Sequence, residues 1–111
     1  MDFAFYRNFI TVAETGNLSA AAKRLGIVQP ALSAQMKAIE RNYGVQLFKM
    51  QRGKRHIELT EAGETFLQQA RQLCNTEDDI SLRMQAFGRR AAGTLRFSVS
   101  HVRTDYFLRS Y

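Results

Sequence analysis

Cysteine is nearly absent from this 111-residue chain. The single one, Cys74, excludes an intrachain disulfide, which fits a reducing compartment. Its expected role is that of a small buried apolar residue rather than a redox switch. No apolar run approaches the length of a membrane span. No basic N-terminal region followed by an apolar segment marks a secretion signal, so the cytoplasm is the expected location. His56 has no second ligand-like neighbour in sequence, so neither a metal nor a cofactor is expected; a solvated strand residue or a phosphate contact is the better reading. Acidic residues are few beside basic ones, 10 against 16, which gives a net charge of +6. Residues 1–60 carry +5, 61–90 carry −1 and 91–111 carry +2. A polyanion-binding surface requires such an excess on one part of the chain, although a generally basic surface would also carry it. The length allows one small domain and an appendage, with a core modest enough for partners or dimerisation to assist it.

What is present is organised around residues 16–43, which read as a short helix, a turn and a longer helix. Ser19 offers a hydroxyl to cap the short helix, and three alanines that favour helix follow it. Gly26 ends that helix, since glycine enters left-handed dihedrals without a Cβ clash. Pro30, the only proline, falls in the first turn of the longer helix, where no amide is needed. Leu32, Met36, Ile39 and Tyr43 form its apolar stripe. Pro30, Ser33, Ala34, Lys37 and Arg41 lie opposite, small and polar first and basic later. A helix entering a major groove needs short side chains near base edges and cations near phosphates. An ordinary helical hairpin with a solvated basic face is the plainer alternative.

Around this pair, residues 3–14 read as a first helix, with Tyr6, Phe9, Ile10 and Ala13 on one stripe. Two short strands about Arg52-Gly53-Lys54 make a basic-tipped hairpin between about 48 and 59, whose charges would reach phosphates or a minor groove. Thr60 caps a helix that runs to about Phe87, with Glu61 and Glu64 in its first turn. Phe66, Ala70, Leu73, Ile80, Met84 and Phe87 fall on a heptad stripe over roughly 40 Å of helix. The stripe favours self-association, against packing on its own domain. Gly88 to Gly93 breaks the period and reads as a hinge, and Thr94–Val99 alternates like a strand.

The run Leu18-Ser19-x-Ala21-Ala22-x-x-Leu25-Gly26, then Gln29-Pro30-Ala31-Leu32-Ser33 and Ile39-Glu40, closely resembles the N-terminal DNA-binding domain of LysR-type transcriptional regulators. The likeness extends through Leu47-Phe48 and Leu59-Thr60-Glu61-Ala62-Gly63, in one register over roughly ninety residues. It implies a mainly α fold: a winged helix-turn-helix of three helices and a two-stranded wing over residues 1–60 (helix-turn-helix about 18–43), then a linker helix over 61–88 forming an antiparallel homodimer. Residues 89–111 would be the hinge and first strand of a shortened effector-binding domain, with Ser100 at a position that often contacts the effector. A small-molecule effector is expected only with a complete effector domain, and a tetramer only in a full-length form.

This chain departs from the family pattern in places. Val28 stands where a capping serine or threonine is usual, Ala34 where a basic or polar residue is common, and Met50 where an arginine is common. The wing looks two residues longer than typical, and Arg52 would take over the arginine's role. The leading expectation is sequence-specific binding of double-stranded DNA at the nucleoid. Gln29 and Ser33 would hydrogen-bond base edges, and Pro30 and Ala31 would meet thymine methyls. Lys37, Arg52, Lys54 and Arg55 would hold phosphates or line the minor groove, and Asn17 and Ser19 would bind backbone phosphate. An architectural or oligomerising helical protein is the alternative. An enzyme using Ser100, His101 and Asp105 lacks an enclosing pocket and an oriented base.

Overall fold

The computed structural model describes residues 1–49 and 56–90. Within them the order is α1 (Ala4–Thr15), α2 (Leu18–Leu25), α3 (Gln29–Tyr43), β1 (Phe48–Lys49), β2 (Glu58–Leu59) and α4 (Glu61–Arg90). The strands pair antiparallel, Phe48 opposite Leu59 and Lys49 opposite Glu58. Mainly helical content with a two-stranded wing is the fold class expected. The expected hinge residues 91–93, the strand at Thr94–Val99 and the trio Ser100, His101 and Asp105 lie outside the described residues.

Met1–Cys74 forms one compact unit, and the described residues from Asn75 to Arg90 belong to a second. The core of the first unit comes from one face of each helix. Phe9 and Val12 of α1, Ala21 and Ala22 of α2, and Leu32, Met36 and Ile39 of α3 are buried together with Leu47 and Phe48 at the foot of the wing. Val12 falls outside the apolar stripe read for α1, yet it is fully buried. Small Ala21 and Ala22 let α2 sit close against its neighbours.

The turn between α2 and α3 is set locally. Gly26 takes φ 72° and its N–H caps the end of α2, while the Ile27 N–H bonds the Ala22 carbonyl at 3.0 Å. This is the glycine-terminated turn that the sequence indicates. The start of α2 differs from expectation. Asn17, not Ser19, is its N-cap: its backbone is extended and its Oδ1 accepts from the Ala20 N–H at 2.9 Å. Ser19 already lies inside the helix, where its hydroxyl no longer reaches a first-turn amide.

Thr60 caps α4 as expected, its Oγ1 accepting from the Gly63 N–H at 3.0 Å and donating to the Gln46 carbonyl at 2.7 Å. Gly63 is buried, and a Cβ there would fall on the Leu47 carbonyl oxygen. Glycine therefore lets the first turn of α4 lie directly on the chain entering β1. The helix continues through Gly88 to Arg90, beyond the break expected at 88. A single glycine costs about 1 kcal/mol of helix propensity, which does not end a long helix.

Two expected pairing residues are used inside the domain. Phe66 lies 4.7 Å from the Phe9 ring, 5.7 Å from Tyr6 and 5.6 Å from Tyr43, between centroids. Ala70 is 2% exposed and Cys74 5%. Phe66 thus packs on the aromatic rings of α1 and on Tyr43, and Ala70 is buried in the same unit. Cys74 has the buried role expected of it.

Above this aromatic cluster the hydroxyls of Tyr6 and Tyr43 meet at 2.6 Å. That bond, then burial and the neighbouring phenol, push the Tyr6 pKa up from 10.0 to about 12. Unfolded, the phenol ionises near 10.0; folded, it keeps its proton to about 12. The folded state then holds more protons in that window, so this stabilisation is complete below 10 and is lost as pH rises toward 12. Urea unfolding followed by circular dichroism should show stability falling between about pH 10 and about pH 12, and Tyr6→Phe should flatten that fall.

Candidate nucleic-acid interface

The outward face of α3 begins at the turn and runs to its C-terminal end. Gln29, Pro30, Ala31, Ala34, Lys37 and Arg41 are exposed on it, and Ser33 is half-buried. The opposite face is held by Leu32, Met36 and Ile39, all in the core. Burial of one stripe thus fixes which residues the helix presents.

Polar ties then fix how the helix sits. Asn8 of α1 donates from Nδ2 to Gln35 Oε1 at 2.6 Å. Glu40 is the only acid in α3, and its Oε2 accepts from the Leu47 N–H at 2.7 Å and the Phe48 N–H at 3.2 Å. Two amide donors on one carboxylate make a strong attachment, and they fasten the foot of the wing to α3. The same bonds turn the one negative charge of α3 onto the wing, so Lys37 and Arg41 supply the charge of the exposed face. The return strand is tied to the start of the motif, the Ile57 N–H bonding the Gly16 carbonyl at 2.8 Å. His56 is exposed with its imidazole against Gly16.

The residues expected to bind are only partly brought together. Ser19 and Gln29 meet across the turn, Ser19 Oγ donating to Gln29 Oε1 at 2.7 Å. Pro30 and Ala31 follow on the first turn of α3, and Ser33 and Lys37 come one and two turns later. Asn17 spends its Oδ1 on the cap, which leaves its amide NH2 and the first amides of α2 for an anion. Arg52, Lys54 and Arg55 lie outside the described residues, as does Met50. Sequence reasoning missed the roles of Glu40, Asn8 and Gln35. Glu40 was visible only as part of the Ile39-Glu40 pair, and nothing in the spacing pointed to its partners. Among the described residues no group of three or more His, Cys, Asp or Glu could hold a metal ion, and no helix is long and apolar enough to cross a membrane.

A helix-turn-helix braced by a third helix and flanked by a two-stranded wing defines the winged helix-turn-helix class. Residues 4–64 match the family described as "Bacterial regulatory helix-turn-helix protein, lysR family", and the chain belongs to it. It is 46% identical over 96 residues to the HTH-type transcriptional regulator ClcR of Pseudomonas putida, covering 86% of this chain and 32% of that protein. To TcbR of Pseudomonas sp. (strain P51) it is 41% identical over 107 residues, 96% of this chain and 35% of that protein. The chain thus spans about a third of the length of these curated relatives. Among solved structures it is similar to the CbnR_DBD–DNA complex, with a TM-score of 0.72 at 43% identity over 78% of this chain and 97% of that one. The BenM_DBD/benA site 1 DNA complex gives a TM-score of 0.73 at 32% identity, over 78% of this chain and 99% of that one.

The start of α3 keeps the defect read from the sequence. Val28 has the extended backbone of an N-cap but no side-chain bond to offer, and it is 68% exposed. The Ala31 and Leu32 N–H groups both fall back on the Val28 carbonyl, at 3.1 and 3.2 Å. Val28→Ser should supply the missing acceptor to Ala31 and raise stability by about 1 kcal/mol, read as a higher urea midpoint at unchanged slope.

Proposed function

We propose that this chain is the sequence-specific DNA-binding part of a LysR-family transcriptional regulator, acting in the cytoplasm on the nucleoid. What carries the reading is the outward face of α3. Gln29, Pro30, Ala31 and Ser33 stand at its N-terminal end and Lys37 beyond them, on a helix whose other face is locked in the core. The DNA complexes named among the similar structures support the same partner. Gln29 and Ser33 meet base edges in the major groove, Pro30 and Ala31 touch thymine methyls, and Lys37 neutralises phosphate. Asn17, with the first amides of α2, holds a backbone phosphate. Arg52, Lys54 and Arg55 add phosphate or minor-groove contacts, on the strength of their charge alone.

Base readout and phosphate binding separate by mutation. Gln29→Ala or Ser33→Ala should lose about 1–3 kcal/mol at a selected site with little change on random duplex. Lys37→Ala should weaken both alike and reduce the salt slope by about one. Fluorescence anisotropy over a salt series reads both effects. A Ser33 variant that weakens selected and random DNA equally would refute base reading by this helix, and affinity flat with salt would refute phosphate neutralisation.

Pairing of two copies through the later part of α4 completes the proposal. Ile80, Met84 and Phe87 remain exposed within the second unit, Ile80 by 53%. Leu73, at the end of the first, is 40% exposed. Apolar side chains at heptad spacing with this exposure support a helix partner. Ile80→Asp would place a charge in that seam, and light scattering should then report monomers where the parent protein gives dimers. A variant that stays dimeric puts the interface elsewhere.

A further inference from the structure

Ser19 and Gln29 stand ten residues apart and are joined by one hydrogen bond across the turn. Ser19 is the second residue of α2 and Gln29 the first of α3, and both are exposed. Neither residue is needed for the turn itself, which Gly26, Ile27 and the Asn17 cap already specify. A glutamine at a helix start has three rotatable bonds and a terminal carboxamide that can turn either way. Left to itself it offers an acceptor and a donor side by side, the pair that reads adenine through N6 and N7. Here the serine hydroxyl donates its hydrogen to Oε1 at 2.7 Å. With the hydroxyl donating, it is the Oε1 end of the carboxamide that faces α2. Covalent geometry then puts the NH2 on the other side of the terminal carbon, with two donors to spend.

We propose that Ser19 is a positioning residue for base readout. By holding Oε1 it makes Gln29 a donor, so that this position selects a base whose major-groove edge accepts. Those bases are guanine, through O6 and N7, and thymine, through O4. Cytosine, which presents only an amino group there, is disfavoured most, and adenine, whose N6 amino group stands beside its one acceptor N7, ranks below guanine and thymine. The proposal rests on the reading that α3 faces base edges, and it assigns the chemistry of one contact within that reading.

Site selection from a randomised duplex library tests it, using the full chain and its Ser19→Ala, Ser19→Thr, Gln29→Ala and Gln29→Glu variants. The parent protein should enrich guanine or thymine at one position of each half-site. Ser19→Ala should lower the preference at that position alone by about three- to tenfold, the worth of one net hydrogen bond. Ser19→Thr keeps the hydroxyl and should retain the preference. Gln29→Glu exchanges the outward donor for an acceptor and should move the preference toward cytosine or adenine. A Ser19→Ala profile equal to the parent's, beside a changed Gln29→Ala profile, would overturn the positioning role while leaving base reading intact. Adenine as the parent's preferred base would overturn the donor assignment. A Gln29→Ala profile equal to the parent's would overturn base reading at this residue, and the proposal with it.

Discussion

The Phe9 ring is the contact on which the rest depends. It is fully buried, 5.1 Å from the Phe48 ring and 4.7 Å from the Phe66 ring between centroids. One side chain of α1 therefore touches the first strand of the wing and the first turns of α4, while its own helix lies against α2 and α3. Truncating such a ring typically costs about 3–5 kcal/mol, a large part of the stability of a domain this small. Three chain segments far apart in sequence, α1, β1 and α4, share this one aromatic centre. A helical hairpin with a basic face, without α1 and its phenylalanine, would have nothing to hold its two helices at a fixed angle.

Polar bonds complete what the core begins, and they sit where elements end. Asn17 and Thr60 cap helices, Glu40 gathers two amides at the foot of the wing, and Asn8 reaches Gln35 between α1 and α3. No buried side-chain polar atom among the described residues lacks a hydrogen-bond partner. Glu14 adds surface pairs with Arg24 at 3.9 Å and Arg71 at 3.4 Å, which are exposed and contribute little. The strong ties are short-range or shielded, and they leave the outer face of α3 unencumbered.

How much could be read from the residues depends on the range of each interaction. Gly26, Pro30, the bare Val28 and the Thr60 cap were legible because each acts within a few residues of itself. The buried stripe of α3 was legible through its period, up to Tyr43, which is half-exposed but bonded to Tyr6. Ser19 was misassigned because serine and asparagine cap equally well; only the backbone decides which one stands outside the helix. The packing of Phe66 and Ala70 within the first unit was not legible, because a heptad announces an apolar face without saying what covers it. The partners of Glu40, Asn8 and Ser19 were not legible at all. They lie between about seven and thirty residues away, and no local pattern encodes a contact between separate elements.

The late closure of the first unit bears on how such a protein can be recombined. The boundary expected at residue 60 falls between β2 and α4, yet Phe66, Leu67 and Ala70 of α4 belong with the core of the head, and the unit runs to Cys74. A gene fusion made at the end of the wing would give Phe9 and Phe48 a stranger's helix to pack against. One made just after Cys74 would carry the whole aromatic centre with the head and exchange only the later turns of α4 and the chain beyond them. About four turns of α4 are thus inherited with the reading head, so the natural seam for swapping heads between relatives lies inside a continuous helix, where no loop marks it.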